Sequence, residues 1–142
     1  MGKYEIRELL PPPYARRTPA TVGEWLGAVR SGLPGRGLEK LLATVGLSRA
    51  DFCVALNIPE RTLTRRLRSG RLTPEESEKV LRLARVWARA CTVFPSEAAA
   101  RDWLKSANAT LENASPLSLL DADIGAEAVL NLLGRIEHGV FS

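Results

Sequence analysis

Nowhere in this chain do apolar and polar residues alternate for long enough to make a half-buried strand, and β-branched residues are sparse. Spacings of three and four recur instead. Val80, Leu83, Ala84, Trp87 and Cys91 form one stripe, and Val129, Leu132, Leu133, Ile136 and Val140 form another. That periodicity restricts the fold to an all-α one.

Capping and breaking residues divide the pattern. Residues 1–20, with Pro11-Pro12-Pro13, Arg16-Arg17 and Pro19, read as an extended or disordered arm. A short helix follows from Thr21 to Ser31, with Trp25, Leu26 and Val29 expected to face inward. Gly32-Leu33-Pro34-Gly35-Arg36-Gly37 reads as a break, and a second short helix runs from Leu38 to Thr44, closed by Gly46. Ser48 caps a helix over 49–56, Asn57-Ile58-Pro59 interrupts it, and another runs from about Pro59 to Ser69. Thr73-Pro74-Glu75-Glu76 combines a Thr cap, a Pro in the first turn and a Glu three residues after the Thr, opening a helix to about Cys91. Its apolar surface suits a dimer face and ordinary core packing equally. Ser96 caps a helix through about Ala107, and a polar loop from Asn108 to Pro116 leads to the final helix. Asp121 and Asp123 are expected to cap that helix.

Residues 47–67 have the spacing of a helix-turn-helix. The first helix needs a small residue where the two helices cross, which Cys53 supplies. The turn needs a residue that tolerates positive φ, and Asn57 is the best choice after Gly. Ile58, Leu63 and Leu67 then point to the core, leaving Arg61, Thr62, Arg65, Arg66, Arg68 and Ser69 on one face of the second helix. Guanidinium groups in that setting suit phosphate and guanine contacts in a major groove. Ser48 and Arg49, at the start of the preceding helix, are placed to hold a phosphate. A solvated surface is the competing reading of the same arginines.

Charge is unevenly spread. The 142-residue chain carries a net +4. Between Arg49 and Arg89 there are ten Lys/Arg against five Asp/Glu, and from Glu97 to Ser142 three against seven. A basic middle beside an acidic end predicts two faces with different partners, nucleic acid for the first and protein for the second. The modest net charge implies that DNA binding needs a dimer.

Other classes are disfavoured. No apolar run approaches the roughly 20 residues that span a bilayer, and the N-terminus lacks the apolar core of a secretory signal. Ile6 stands where N-myristoylation needs Ser or Thr. No membrane partner and a cytoplasmic location are therefore expected, with Cys53 and Cys91 as buried, reduced thiols. The chain has no Gly-rich phosphate loop and no metal-ligand cluster, and its one histidine, His138, has no Cys or Ser partner at a meaningful spacing. Neither an enzyme, a cofactor nor a metal is expected.

The C-terminal third is the most specific stretch. Arg101-Asp102-Trp103-Leu104, a polar loop ending in Pro116, Leu119-Leu120-Asp121, Gly125-Ala126, Val129 and the run Leu132-Leu133-Gly134-Arg135-Ile136-Glu137-His138-Gly139-Val140 together resemble the toxin-binding domain of the Xre/MbcA/ParS antitoxins. In that family the domain follows an Xre-like helix-turn-helix, and the resemblance here covers about residues 38–142. One departure is that the family usually has a Gly pair after the Leu of the polar loop, where this chain has Glu112-Asn113.

The chain then divides into an arm with a short helix over 1–36, a helix-turn-helix domain over 37–93 and a toxin-binding domain over 94–142. The resemblance implies a type II antitoxin that occludes the active site of a RES-domain, NAD-degrading toxin with its C-terminal end and binds its operon's promoter DNA. Homodimers and hetero-oligomers with the toxin are the expected assemblies. The toxin-contacting residues would be Arg135, Glu137, His138, Val140, Phe141 and Ser142. Gly139 reads as a helix C-cap, and Val140 and Phe141 behind it predict a docked end. Two alternatives remain open. The chain reads also as a plain helix-turn-helix repressor whose C-terminal helices only dimerise, or as an interaction module that no longer reads DNA. In either case Ile136 and Val140 finish the core, Phe141 caps it, and Arg135 and Glu137 pair with neighbours.

Overall fold

The computed structural model describes residues 21–68 and 70–139. The expected arm, Ser69, Val140, Phe141 and Ser142 lie outside the described residues. Seven helices follow in order: α1 (Val22–Ser31), α2 (Gly35–Val45), α3 (Arg49–Leu56), α4 (Glu60–Arg68), α5 (Pro74–Val93), α6 (Glu97–Lys105) and α7 (Asp123–Glu137). Two short 3-10 turns, Ala109–Leu111 and Pro116–Leu119, lie between α6 and α7. Among the described residues the only β-type pairing is two isolated bridges, so the all-α expectation holds.

The helix starts follow their capping chemistry. Ser48 Oγ accepts from the Asp51 N–H at 3.0 Å and Ser96 Oγ from Ala99 at 3.0 Å. At α5 the capping box is complete: Glu76 N–H donates to Thr73 Oγ1 at 3.1 Å and Thr73 N–H to Glu76 Oε1 at 2.9 Å. Asn57 ends α3 with φ 50°, as the turn requires.

Helix α5 is the axis. It packs against α1, α2, α3, α6 and α7, and Val80, Leu83, Ala84, Val86, Trp87 and Ala90 are buried along it. The stripe through Val80, Leu83, Ala84, Trp87 and Cys91 is therefore core packing. One core runs from Leu33 to Leu133, with Trp87 and Phe52 its largest fully buried side chains. Arg101 on α6 fastens the C-terminal helices to the front half. Its Nε donates to the Val45 carbonyl at 2.6 Å, at the C-terminal end of α2, and its guanidinium lies 5.8 Å from the Trp87 ring centre.

Several expectations need correction. Leu26 is 40 % exposed, and Ala28 is the buried residue of α1, while Trp25 and Val29 pack on the core as expected. Cys53 is half-buried, so only Cys91 is a buried thiol; burial pushes the Cys91 thiol up to about 11 and also raises that of Cys53. Helix α2 begins at Gly35, inside the stretch expected to break the chain. A Cβ on Gly35 would sit 1.9 Å from the Arg66 carbonyl oxygen, so the glycine is there for close approach to the end of α4. Helix α5 continues to Val93, and α6 stops at Lys105.

Helix α7 has Ala122 at its N-cap with no side-chain cap. Asp123, the first residue of the helix rather than its cap, instead accepts from Arg82 Nε and Nη2 at 3.0 and 2.8 Å. In the polar loop, Glu112 and Asn113 both adopt positive φ, 56° and 66°, the conformation a Gly pair takes without strain. Asn108 closes the loop, donating to the Ala114 carbonyl at 3.1 Å and accepting from Asn113 at 2.8 Å.

Candidate functional site

Helix α4 is held by α2 and α3 and presents its remaining surface outward. Leu63 is fully buried and anchors it. Arg61, Arg65 and Arg68, at i, i+4 and i+7, are exposed and form a single stripe. Each lacks an ion pair with another described residue, and Thr62 beside them is half-buried. Arg49, at the start of α3, is exposed and reaches across the turn, its Nη1 3.5 Å from Thr64 Oγ1. Ser48 spends its hydroxyl oxygen on capping α3. The structure thus brings Arg49, Thr64 and the α4 stripe to one side of the turn.

Arg66 is different. Its Nε donates to Glu76 Oε1 at 2.8 Å and its Nη2 to Oε2 at 3.4 Å, and the two side chains are only 19 % and 13 % exposed. This is a shielded, two-pronged pair that ties α4 to the start of α5. The guanidinium is consequently not part of the open stripe in which the helical spacing placed it. Arg36, which the sequence reading did not single out, lines a cleft with Arg68 at the far end of α4. The signal was hidden because Gly35 reads as a breaker rather than as the start of a helix.

Burial alone raises the Glu76 pKa, but the hydrogen bonds from Arg66 and from the Thr73 backbone outweigh it, and the carboxyl titrates below the usual glutamate range. A carboxyl depressed in the folded state adds stability that is present above its unfolded pKa and lost as pH falls through the folded one. Thermal melts from pH 6 down to pH 3 should therefore show the wild-type chain losing more stability than Glu76→Gln. At neutral pH the variant should cost about 1–3 kcal/mol. Parallel pH profiles for the two chains would contradict this assignment.

At the other end, α7 closes with His138 N–H on the Gly134 carbonyl and Gly139 N–H on that of Ile136, with Gly139 at φ 74°, as its C-cap reading expects. Val129, Leu132 and Leu133 are buried, and Ile136 is half-buried. Arg89 on α5 grips Glu137 with both prongs: Nη2 to Oε1 at 2.5 Å and Nη1 to Oε2 at 3.0 Å. The Arg89 hydrogen bonds hold the Glu137 carboxyl below its usual range, and in turn raise the Arg89 pKa. Arg135 is exposed with no ion pair to a described residue, and His138 is exposed, its Nε2 3.9 Å from Glu137 Oε1. Of the residues expected to meet a partner, Arg135 and His138 are open and Glu137 is engaged within the chain. The Arg89 partnership spans 48 residues and leaves no local sequence signal.

Among the described residues no helix is long and apolar enough to cross a membrane.

Residues 24–85 match the Antitoxin Xre-like helix-turn-helix domain, and residues 89–139 match the Antitoxin Xre/MbcA/ParS C-terminal toxin-binding domain. An Antitoxin Xre from Yersinia enterocolitica serotype O:8 / biotype 1B is 37 % identical over 127 residues, covering 87 % of this chain and 86 % of the relative. An Antitoxin Xre from Photorhabdus laumondii subsp. laumondii is 33 % identical with the same coverage. In fold, the chain is similar to one in the crystal structure of the M. tuberculosis MbcT–MbcA toxin–antitoxin complex. The TM-score is 0.57 at 24 % identity, covering 73 % of this chain and 93 % of the other.

Proposed function

The chain belongs to the Xre antitoxins, with a helix-turn-helix domain followed by a toxin-binding domain, and from that premise we propose that it does two things in the cytoplasm. It neutralises a RES-type, NAD-degrading toxin with the end of α7, and it binds the promoter DNA of its own operon with α4. The observation that supports the second role is the exposed stripe of Arg61, Arg65 and Arg68 on the outer face of the turn's second helix. Uncompensated guanidiniums at that spacing suit phosphates and guanine edges along a major groove. Arg49 and Arg36 extend the same positive surface and take flanking phosphates.

For the toxin, the reading is a plug. The Arg89–Glu137 pair fixes the last turn of α7 on α5. Arg135 and His138 meet polar groups at the mouth of the toxin's cleft, and Val140 and Phe141 fill its apolar part with Ser142 behind them. Glu137 acts chiefly as the brace for this end.

Co-expression with the reading frame that neighbours its gene, which this reading expects to encode a RES-type toxin, tests this function. The toxin alone should deplete cellular NAD; with this chain present, NAD should recover and the two proteins should copurify. Persistent NAD loss, or failure to copurify, would overturn the reading.

A further inference from the structure

We propose that residues 3–10 of this chain lie in the groove between α1, α5 and α7 and strap its two domains together. The groove measures about 780 Å³. Val22 and Leu26 of α1 form one wall and stand 76 % and 40 % exposed, while Leu81 of α5 and Leu130 of α7 line the same depression. Large aliphatic side chains gathered around one concavity gain most by being covered.

The chain supplies a matching occupant. Thr21 caps α1 in an extended conformation, its Oγ1 accepting from the Glu24 N–H at 3.1 Å, so the residues before it depart from beside Val22 on the groove's own wall. Ile6, Leu9 and Leu10 are spaced i, i+3 and i+4, which makes one apolar edge when the segment is wound as a helix. Residues 11–20, with Pro11-Pro12-Pro13 and Pro19, connect that edge to Thr21. At ~3.1 Å per residue for an extended Pro-rich stretch they reach about 30 Å. Residues 3–10 occupy about 12 Å as a helix, so the connection is long enough to bring them back over α1.

Charge agrees with shape. Arg82 in the groove is consumed by Asp123 and by the Leu120 carbonyl, to which its Nη1 donates at 3.1 Å. What remains is Arg85 against Glu78 and Glu127, all exposed and none ion-paired with another described residue. Lys3 and Arg7 complement the two glutamates, and Glu5 and Glu8 complement Arg85. Two open glutamates also repel a phosphate backbone from the same place. Helix α1 belongs to the helix-turn-helix domain and α7 to the toxin-binding domain, so a segment seated between them braces one against the other. The contact needs neither DNA nor toxin, and it leaves the α4 stripe and the end of α7 uncovered, since the groove uses α7 only from Asp123 to Leu130.

The test is methyl NMR of the full chain alone, with a thermal melt beside it. Ile6→Asp combined with Leu9→Asp should shift the methyl signals of Val22, Leu26, Leu81 and Leu130, leave those of Leu63 in place, and lower the melting temperature by about 5 °C. Lys3→Glu with Arg7→Glu should lower it as well, and adding Glu78→Lys and Glu127→Lys should restore it. The wild-type groove signals should stay the same on dilution from the millimolar to the micromolar range. Unmoved groove signals or an unmoved melt in the Ile6/Leu9 variant would overturn the proposal, as would a charge exchange that fails to restore the melt. Signals that change on dilution would give the groove to a second copy, and would overturn it too.

Discussion

Removing Val140, Phe141 and Ser142 should weaken toxin binding roughly a thousandfold, about 4 kcal/mol, and abolish neutralisation, while operator binding and melting temperature stay as they are. The expected loss is large because an aromatic anchor entering an enclosed pocket carries far more binding energy than the polar rim around it. Stability should hold because the described core already closes without these residues: Val129 and Leu133 are fully buried, and the Arg89–Glu137 pair holds the last turn of α7. The readouts are NAD recovery in co-expressing cells, toxin affinity with purified proteins, and a thermal melt. Full neutralisation by the shortened chain would remove the plug. A lower melting temperature would show instead that these residues finish the chain's own fold.

The second large effect concerns DNA. Replacing Arg61, Arg65 and Arg68 together with Ala should weaken operator binding by about 3–6 kcal/mol, on the order of a hundredfold to ten-thousandfold. Each lost phosphate contact should also flatten the log–log dependence of affinity on salt by about 0.9. The melting temperature should not move, since all three side chains are exposed and engage no other described residue in an ion pair. Arg66→Ala should do the reverse. It strands the Glu76 carboxylate in a shielded site and should lower stability by about 2–3 kcal/mol, with a salt slope close to wild type among the molecules that remain folded. Equal salt slopes for the triple variant and the wild-type chain would return the stripe to ordinary solvated surface.

Local chemistry was legible in the sequence, and distant partnerships were not. The Thr73-Pro74-Glu75-Glu76 start, the positive φ of Asn57 and the stripe through Val80 and Trp87 each depend on residues within one or two helical turns, so spacing alone reveals them. Gly35 misled because a glycine looks the same in sequence whether it breaks a helix or lets one touch a neighbouring backbone. Here the neighbour is the Arg66 carbonyl, brought close only by the tertiary fold. Arg66 and Glu76 were each visible in one role, a basic helix face and a capping box, yet the bond between them crosses a turn whose path the sequence does not specify. The same holds for Arg82 with Asp123 and Arg89 with Glu137, where α5 and α7 meet. Helical periodicity identified which arginines share a face. It did not say which of them another element had already claimed.

The central claim is that DNA and toxin are held by separate parts of one folded chain, the α4 stripe and the segment beyond α7. The most direct measurement assays two folded variants, the Arg61/Arg65/Arg68→Ala chain and the chain lacking residues 140–142, for both operator affinity and toxin affinity. The expected result is a crossed one, with the first variant losing only DNA and the second losing only toxin. If either variant, melting like the wild-type chain, loses both partners together, the separation is contradicted.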